Sequence, residues 1–244
     1  MLENCRSELL RVSGRTLPLI CKRRGFMIPV CVFAKPPEPG NVKTRLIPEL
    51  GREGAAELAA AMIIDTWHTL ASTPDVRPVL ATVRPGVFPV AVDARNIWLQ
   101  GDGDLGARLE RILRRSLTDA AGAIAIGADS PSLTVAHLQA AIRALEDHDA
   151  VIGRAIDGGF YLLGVRQCPE GLLSGIPWST CETAESTAQR LRDHKMEVQE
   201  LAPLFDVDLP GDLRVLAGYL LRHPAVAPAT RAWCVSNHFL ENGR

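Results

Sequence analysis

The chain is defined first by what it does not contain. It has no apolar run near the roughly 18 residues that a membrane-spanning helix needs, so no span is expected. Its net charge is only -1 at pH 7, and nothing in that balance invites nucleic acid or an anionic membrane. The six cysteines, at positions 5, 21, 31, 168, 181 and 234, include no CxxC pair. That spacing argues for reduced thiols in a cytoplasmic setting and against a zinc site or disulfide framework. No Gly-x-Ser-x-Gly elbow is present, so a nucleophilic triad is not indicated. No long Gly-, Ser- or Pro-rich linker divides the chain and no internal repeat is visible, so a single domain is expected over 27–244.

The charge is unevenly placed. Residues 1–26 hold six basic side chains against two acidic ones. The longest apolar run in that leader, LPLI, is far short of a secretory signal, and a poorly ordered basic extension is the expected reading, with Met27 as an alternative start.

What is present from residue 28 onward is alternation. Strand-like runs occur at 28–34, 78–83, 96–100, 123–128, 149–155, 160–165 and 196–201, and helical stripes fall between most of them. Helices are expected over 52–70, 105–117, 134–145, 180 or 183 to 194, 210–221 and 228–240; Leu105, Leu109, Ile112, Leu113 and Leu117 make the clearest stripe. The pattern predicts an α/β three-layer sandwich with a mostly parallel central sheet.

Ligands of such sheets bind at the carboxyl ends of the strands, and the chemically informative residues fall there. FAKPPEPGNVKTRL leaves the first strand with Lys35, Lys43 and Arg45 around a proline-stiffened arc. Three cations with Glu38 as the main local carboxylate suit an oligophosphate. GADSPSL ends another strand with Asp129, placed to hold Mg²⁺ against phosphate oxygens, and DVDLPGDL offers Asp208 as a second ligand, with Asp206 the lesser choice. Simple capping or Asx-turn roles would also account for these acids. QGDGDLGARL spells GxGxxG through Gly101, Gly103 and Gly106, but Asp102 and Asp104 inside the turn would repel a pyrophosphate, so nicotinamide binding is disfavoured. DGGFYLLG, with Asp157, Gly158 and Gly159, and IPWST, with Trp178, are candidate walls of an acceptor pocket.

Taken together, AKPPEPGNVKTRL, QGDGDLGARL, GADSPSL, DGGFYLLG, IPWST and DVDLPGDL resemble the bacterial glycosyltransferase A-type transferases found near radical-SAM and selenium or arsenosugar genes. The resemblance runs from about Ile28 to Leu221. More distantly, the AK and KTRL elements are similar to 2-phospholactate guanylyltransferase and GADSP to the molybdenum-cofactor guanylyltransferases. The resemblance implies a nucleotide-diphospho-sugar transferase fold, with Asp129 and Asp208 on Mg²⁺ (or Mn²⁺) and Lys35, Lys43 and Arg45 on phosphate. It further implies that the loop from Gln100 and Gly101 to Arg108 faces the nucleoside or donor sugar, and that Asp157 to Gly159 and Trp178 face a small-molecule acceptor. The expected function is glycosyl transfer from a nucleotide sugar; nucleotidyl transfer with pyrophosphate release stays open, as does a non-catalytic nucleotide-binding domain.

Overall fold

The computed structural model describes residues 9–12, 15–18 and 27–240. Strands β1 (Leu9–Val12) and β2 (Arg15–Pro18) pair antiparallel with each other alone. Both strands fall within the segment expected to be poorly ordered. The rest of that expectation, with Cys5 and Cys21, lies outside the described residues.

From residue 28 strands and helices follow as β3 (Ile28–Ala34), α1 (Ile47–Ala71), β4 (Val76–Thr82), β5 (Ile97–Leu99), α2 (Leu105–Ser116), β6 (Ala123–Gly127), α3 (Val135–Asp147), β7 (Ala150–Ala155), β8 (Phe160–Val165), α4 (Thr183–Asp193), β9 (Val198–Leu204), α5 (Pro210–Arg222) and α6 (Pro228–Ser236). Seven of the strands form one sheet in the order β5-β4-β3-β6-β8-β7-β9. All neighbours run parallel except β8, which is antiparallel to both β6 and β7.

Strand periodicity sorts the core into layers. Val30, Val32, Ile124 and Ile126 pack with Ile63 and Leu70 of α1 and Leu138 and Leu145 of α3. The alternate residues Ala123 and Ala125, with Leu163 and Val165, pack with Leu109 and Leu113 of α2 and Leu191 of α4. Both faces are therefore covered, which is why the central strands read as unbroken apolar runs. Helices α5 and α6 add an outer layer on α1, where Leu58 and Met62 meet Leu213, Leu216 and Trp233. Each large side chain fully buried this way stabilises the fold by about 1.5–3 kcal/mol.

The strand order positions the site. From β3 the chain steps outward to β4 and β5, then crosses back to lay β6 on the opposite side of β3. The loops after β3 and β6 consequently part, and a crevice opens at their carboxyl ends. Lys35 follows β3 and Asp129 follows β6, one on each bank.

Candidate active site

The loop after β3 is a braced arch. Glu38 accepts from both terminal nitrogens of Arg84, at 2.8 and 2.5 Å, and from Asn41 Nδ2 at 3.1 Å. Beyond it Lys43 adopts a left-handed conformation (φ 45°, ψ 42°) just before a short 3₁₀ turn, Thr44–Leu46. Such a backbone costs a non-glycine residue about 1 kcal/mol or more. Leu46, fully buried against α1 and α5, anchors the far end of the arch. The strain aims the Lys43 side chain inward, where Nζ lies 2.5 Å from Asp129 Oδ1 and 2.7 Å from Asp208 Oδ1.

Two backbone devices bring those distant acids together. The Val207 N–H donates to the Asp129 carbonyl at 3.0 Å, tying the segment after β9 to the end of β6. The Asp212 carboxylate then accepts from the amides of Asp208, at 2.9 Å, and Leu209, at 2.7 Å, fixing the turn that opens α5. The Lys43 side chain is only 6% exposed, whereas those of Asp129 and Asp208 are 50% and 40% exposed. Burial alone would lower the Lys43 pKa; the charges of the two aspartates and the hydrogen bonds to them outweigh it, and the ammonium is held above its ordinary value. Asp206, half-buried beside them, is pushed up to about 6 by burial and by the charges of Asp157 and Asp208.

These groups line a cleft of about 650 Å³, within the range common for small-molecule sites. Lys35, Lys43, Arg45, Asp129 and Asp208 face it from the arch and the two acid loops. Gln100, Arg108, Asp157, Gly159 and Trp178 complete the wall, so most residues singled out from the sequence converge. Gly101 and Gly158 are not part of the lining. Gly101 (φ 73°) lies under Arg111, whose guanidinium donates to the carbonyls of Gln100 and of Asp102, the latter at 3.0 Å. Gly158 (φ 94°) lets its turn approach the Cys181 carbonyl so closely that any Cβ would overlap it. Their freedom shapes the loops from behind.

The remaining polar groups divide into braces and unsatisfied donors. Gln100 is buried and its Nε2 donates to the Ala81 carbonyl at 2.8 Å, so that end of the amide is committed to the sheet edge. Asp104 accepts from Ala107 N at 2.9 Å and caps α2, filling with its own carboxylate the position a pyrophosphate would need. Among the described residues Lys35, Arg45 and Arg108 have no carboxylate within ion-pair distance, and Arg108 Nε is buried without a partner. Trp178, edge-on to Phe160 at 6.2 Å between ring centroids, likewise buries an unpartnered Nε1.

Several contributors were not legible as site residues. Arg84 acts through Glu38, 46 residues away, and Arg111 through the carbonyls of Gln100 and Asp102, 11 and 9 residues back, and no local signal marks either. Cys181 and Thr183 reach the cleft because α4 begins there, and Val83 because β4 ends there. Of the cysteines, Cys31, Cys168, Cys181 and Cys234 are free thiols, as their spacing suggested.

The donor set can be tested against a hard divalent cation. No group of three or more His, Cys, Asp or Glu among the described residues is arranged around one point. Magnesium, however, commonly takes one or two carboxylates and completes its shell with water and phosphate. Asp129 Oδ1 and Asp208 Oδ1 already converge on one small cation, the Lys43 ammonium. The two acids therefore fit such an ion, in the place Lys43 now fills.

Residues 65–180 match a family described as an uncharacterized protein conserved in bacteria (DUF2064). No curated protein matches the chain. Among solved structures, the chain is similar to a Desulfovibrio desulfuricans G20 protein provisionally named a nucleotide-diphospho-sugar transferase, with 27% identity, a TM-score of 0.75, and 88% of this chain and 98% of that one covered. It is also similar, at 18% identity and a TM-score of 0.51, to a nucleotidyl transferase of Methanothermobacter thermautotrophicus, covering 82% and 100% of the two chains. The 4-diphosphocytidyl-2C-methyl-D-erythritol synthase of Anaerococcus prevotii DSM 20548 gives 11% identity and a TM-score of 0.51 over 81% and 97%. The strand order, the covered sheet and the first of these similarities together establish that the chain has the nucleotide-diphospho-sugar transferase fold.

Proposed function

We propose that the protein is a divalent-metal-dependent transferase that moves a sugar from a nucleoside diphosphate sugar to a hydroxyl group of a small acceptor. The observation that carries this reading is the cation seat formed by Asp129 and Asp208 at the switch point of the sheet, bordered by Lys35, Arg45 and Arg108. Basic groups without carboxylate partners suit the donor diphosphate, with Arg108 offering its buried Nε as well as its terminal nitrogens. A bound divalent ion would supply charge neutralisation at the departing phosphate. Asp129 and Asp208 would hold that ion, and Lys35, Lys43 and Arg45 would hold the phosphate oxygens in register.

The wall next to the two acids argues for the kind of acceptor. Asp157, Phe160 and Trp178 line it, and Asp157 lies within electrostatic reach of Asp206. Carboxylates repel a phosphorylated acceptor and accept hydrogen bonds from hydroxyls, while aromatic rings cover the apolar face of a sugar or similar ring. Asp157 Oδ1 is held by the Gly159 N–H at 2.8 Å, which leaves its second oxygen to orient an acceptor hydroxyl. This polarity favours glycosyl over nucleotidyl transfer. The opposite reading draws support from the three cations without carboxylate partners, which match a triphosphate better than a diphosphate.

Product analysis separates the two. The protein is incubated with Mg²⁺ and a panel of nucleotide sugars and nucleoside triphosphates, with simple polyols and sugars as acceptors. Release of nucleoside diphosphate, lost in Asp129→Asn and Asp208→Asn, is the expected outcome; pyrophosphate release from a triphosphate would replace this reading with nucleotidyl transfer. Donor binding without turnover under every condition would leave a nucleotide-binding domain.

A further inference from the structure

We infer that Lys43 is a built-in, displaceable counter-ion: it occupies the seat between Asp129 and Asp208 until a divalent cation takes it, and the released ammonium then serves the donor phosphates. The inference rests on the metal-dependent reading above and adds how the site is switched.

Three observations support it. The Lys43 ammonium contacts both acids at once, so a cation entering between the same two oxygens cannot coexist with it there. The lysine is buried, yet its partners are half-exposed, so an incoming ion reaches the acids from solvent without first opening the core. The side chain projects from an arch whose neighbours Lys35 and Arg45 are exposed and face the same cleft, so a short rotation leaves the ammonium among the groups that suit phosphate. Without phosphate nearby, leaving the seat gives the ammonium no anionic partner; with phosphate it exchanges one anion for another. Metal and phosphate therefore favour each other's binding through Lys43, and that coupling is reciprocal by linkage.

The test reads metal binding and lysine exposure, independent of turnover. Mn²⁺ binding to the nucleotide-free protein is measured by electron paramagnetic resonance for the wild type, Lys43→Met, and the controls Lys35→Met and Arg45→Met, which remove a nearby charge without vacating the seat. Lys43→Met is expected to tighten Mn²⁺ binding by about tenfold or more, within the usual span of coupling between sites, and each control to change it by less than about threefold, the level expected of screened surface charge. In parallel, the wild type is reductively methylated with and without Mn²⁺ and labelling is read at each lysine by mass spectrometry. Lys43 labelling should rise several-fold on Mn²⁺ addition, with Lys35 as the internal reference, a readout that needs no variant to fold. Equal Mn²⁺ affinity in wild type and Lys43→Met, or Lys43 labelling unchanged by bound Mn²⁺, overturns the displacement while leaving the transferase reading intact. If neither wild type nor Lys43→Met binds Mn²⁺, with or without a nucleoside diphosphate, the metal-dependent reading itself falls, and this inference with it.

Discussion

The Lys43 triad makes a quantitative prediction about stability, because one buried ammonium is shared by two carboxylates. At 2.5 and 2.7 Å, each pair gains about 6 kcal/mol of Coulomb attraction at an effective dielectric near 20, most of it offset by desolvating the lysine. Asp129→Asn or Asp208→Asn leaves the ammonium one carboxylate and also relieves repulsion among Asp129, Asp157, Asp206 and Asp208. Each single substitution should therefore cost only about 1 kcal/mol. The double substitution strands a buried charge, and the loss should reach about 3–5 kcal/mol. The excess over the two singles, about 1–3 kcal/mol, is the coupling energy of a shared partner. Urea unfolding at pH 7 in chelator, with the slope checked for constancy across the four proteins, measures it. The sign with pH follows from linkage. The wild-type lysine, raised in the folded state, contributes stability that is fully present below its unfolded value near 10.4 and fades as pH rises through the folded one. In the double variant burial without partners lowers the folded value instead, so the deficit should shrink as pH approaches about 10. Strict additivity, or a single substitution as costly as the double, would refute the idea that the ammonium is jointly held.

Other expectations follow from the same geometry. Asp206, raised to about 6, destabilises the fold once ionised, so wild-type stability should fall as pH rises from about 4 through 6; Asp206→Asn should be more stable by about 1–2 kcal/mol at pH 7.5, allowing for partial exposure, and equal at pH 3.5, as thermal melts at the two values would register. Gly158→Ala combines a φ of 94° with overlap onto the Cys181 carbonyl and should cost about 2 kcal/mol or more in denaturant unfolding, unchanged stability being the contrary result. Arg84→Ala removes an exposed, solvent-screened brace of the arch, so the unfolding midpoint should barely move; donor KM should nevertheless rise several-fold, and an unchanged KM would show that the arch holds its form without the pairing of Glu38 and Arg84.

The sequence exposed the periodic elements and the loop chemistry unevenly, for physical reasons. The central strands between Ile28 and Val165 were legible because both faces of the sheet are buried there and turn residues bound them, whereas edge strand β5 exposes Ile97 and Leu99. Helix α1 begins earlier than its alanine-rich stretch suggested. A first turn from Ile47 joins the main helix across a kink at Gly51 (φ 71°, ψ 173°), a backbone that no periodicity argument would admit inside a helix. The lysines and aspartates of the cleft were recognisable as chemistry at strand ends. What local sequence did not encode is their mutual pairing: Lys43 was read as a phosphate ligand, and its ion pair with both acids depends on the Val207–Asp129 backbone bond, a contact between distant segments. The same holds for Arg84, whose carboxylate partner Glu38 lies 46 residues earlier. The positive φ of Lys43 was equally hidden, since only tertiary partners hold a lysine there.

The tie between Val207 and the loop after β6 bears on biosynthesis. One of the two acids arrives on a segment translated well after the arch and the first strands, so a nascent chain displays its lysine to the solvent before any partner acid from that segment exists. Competence is thus conferred late, when the segment after β9 reaches the sheet, and a ribosome-stalled fragment ending before Asp206 would carry every strand of the sheet but only half of the cation seat.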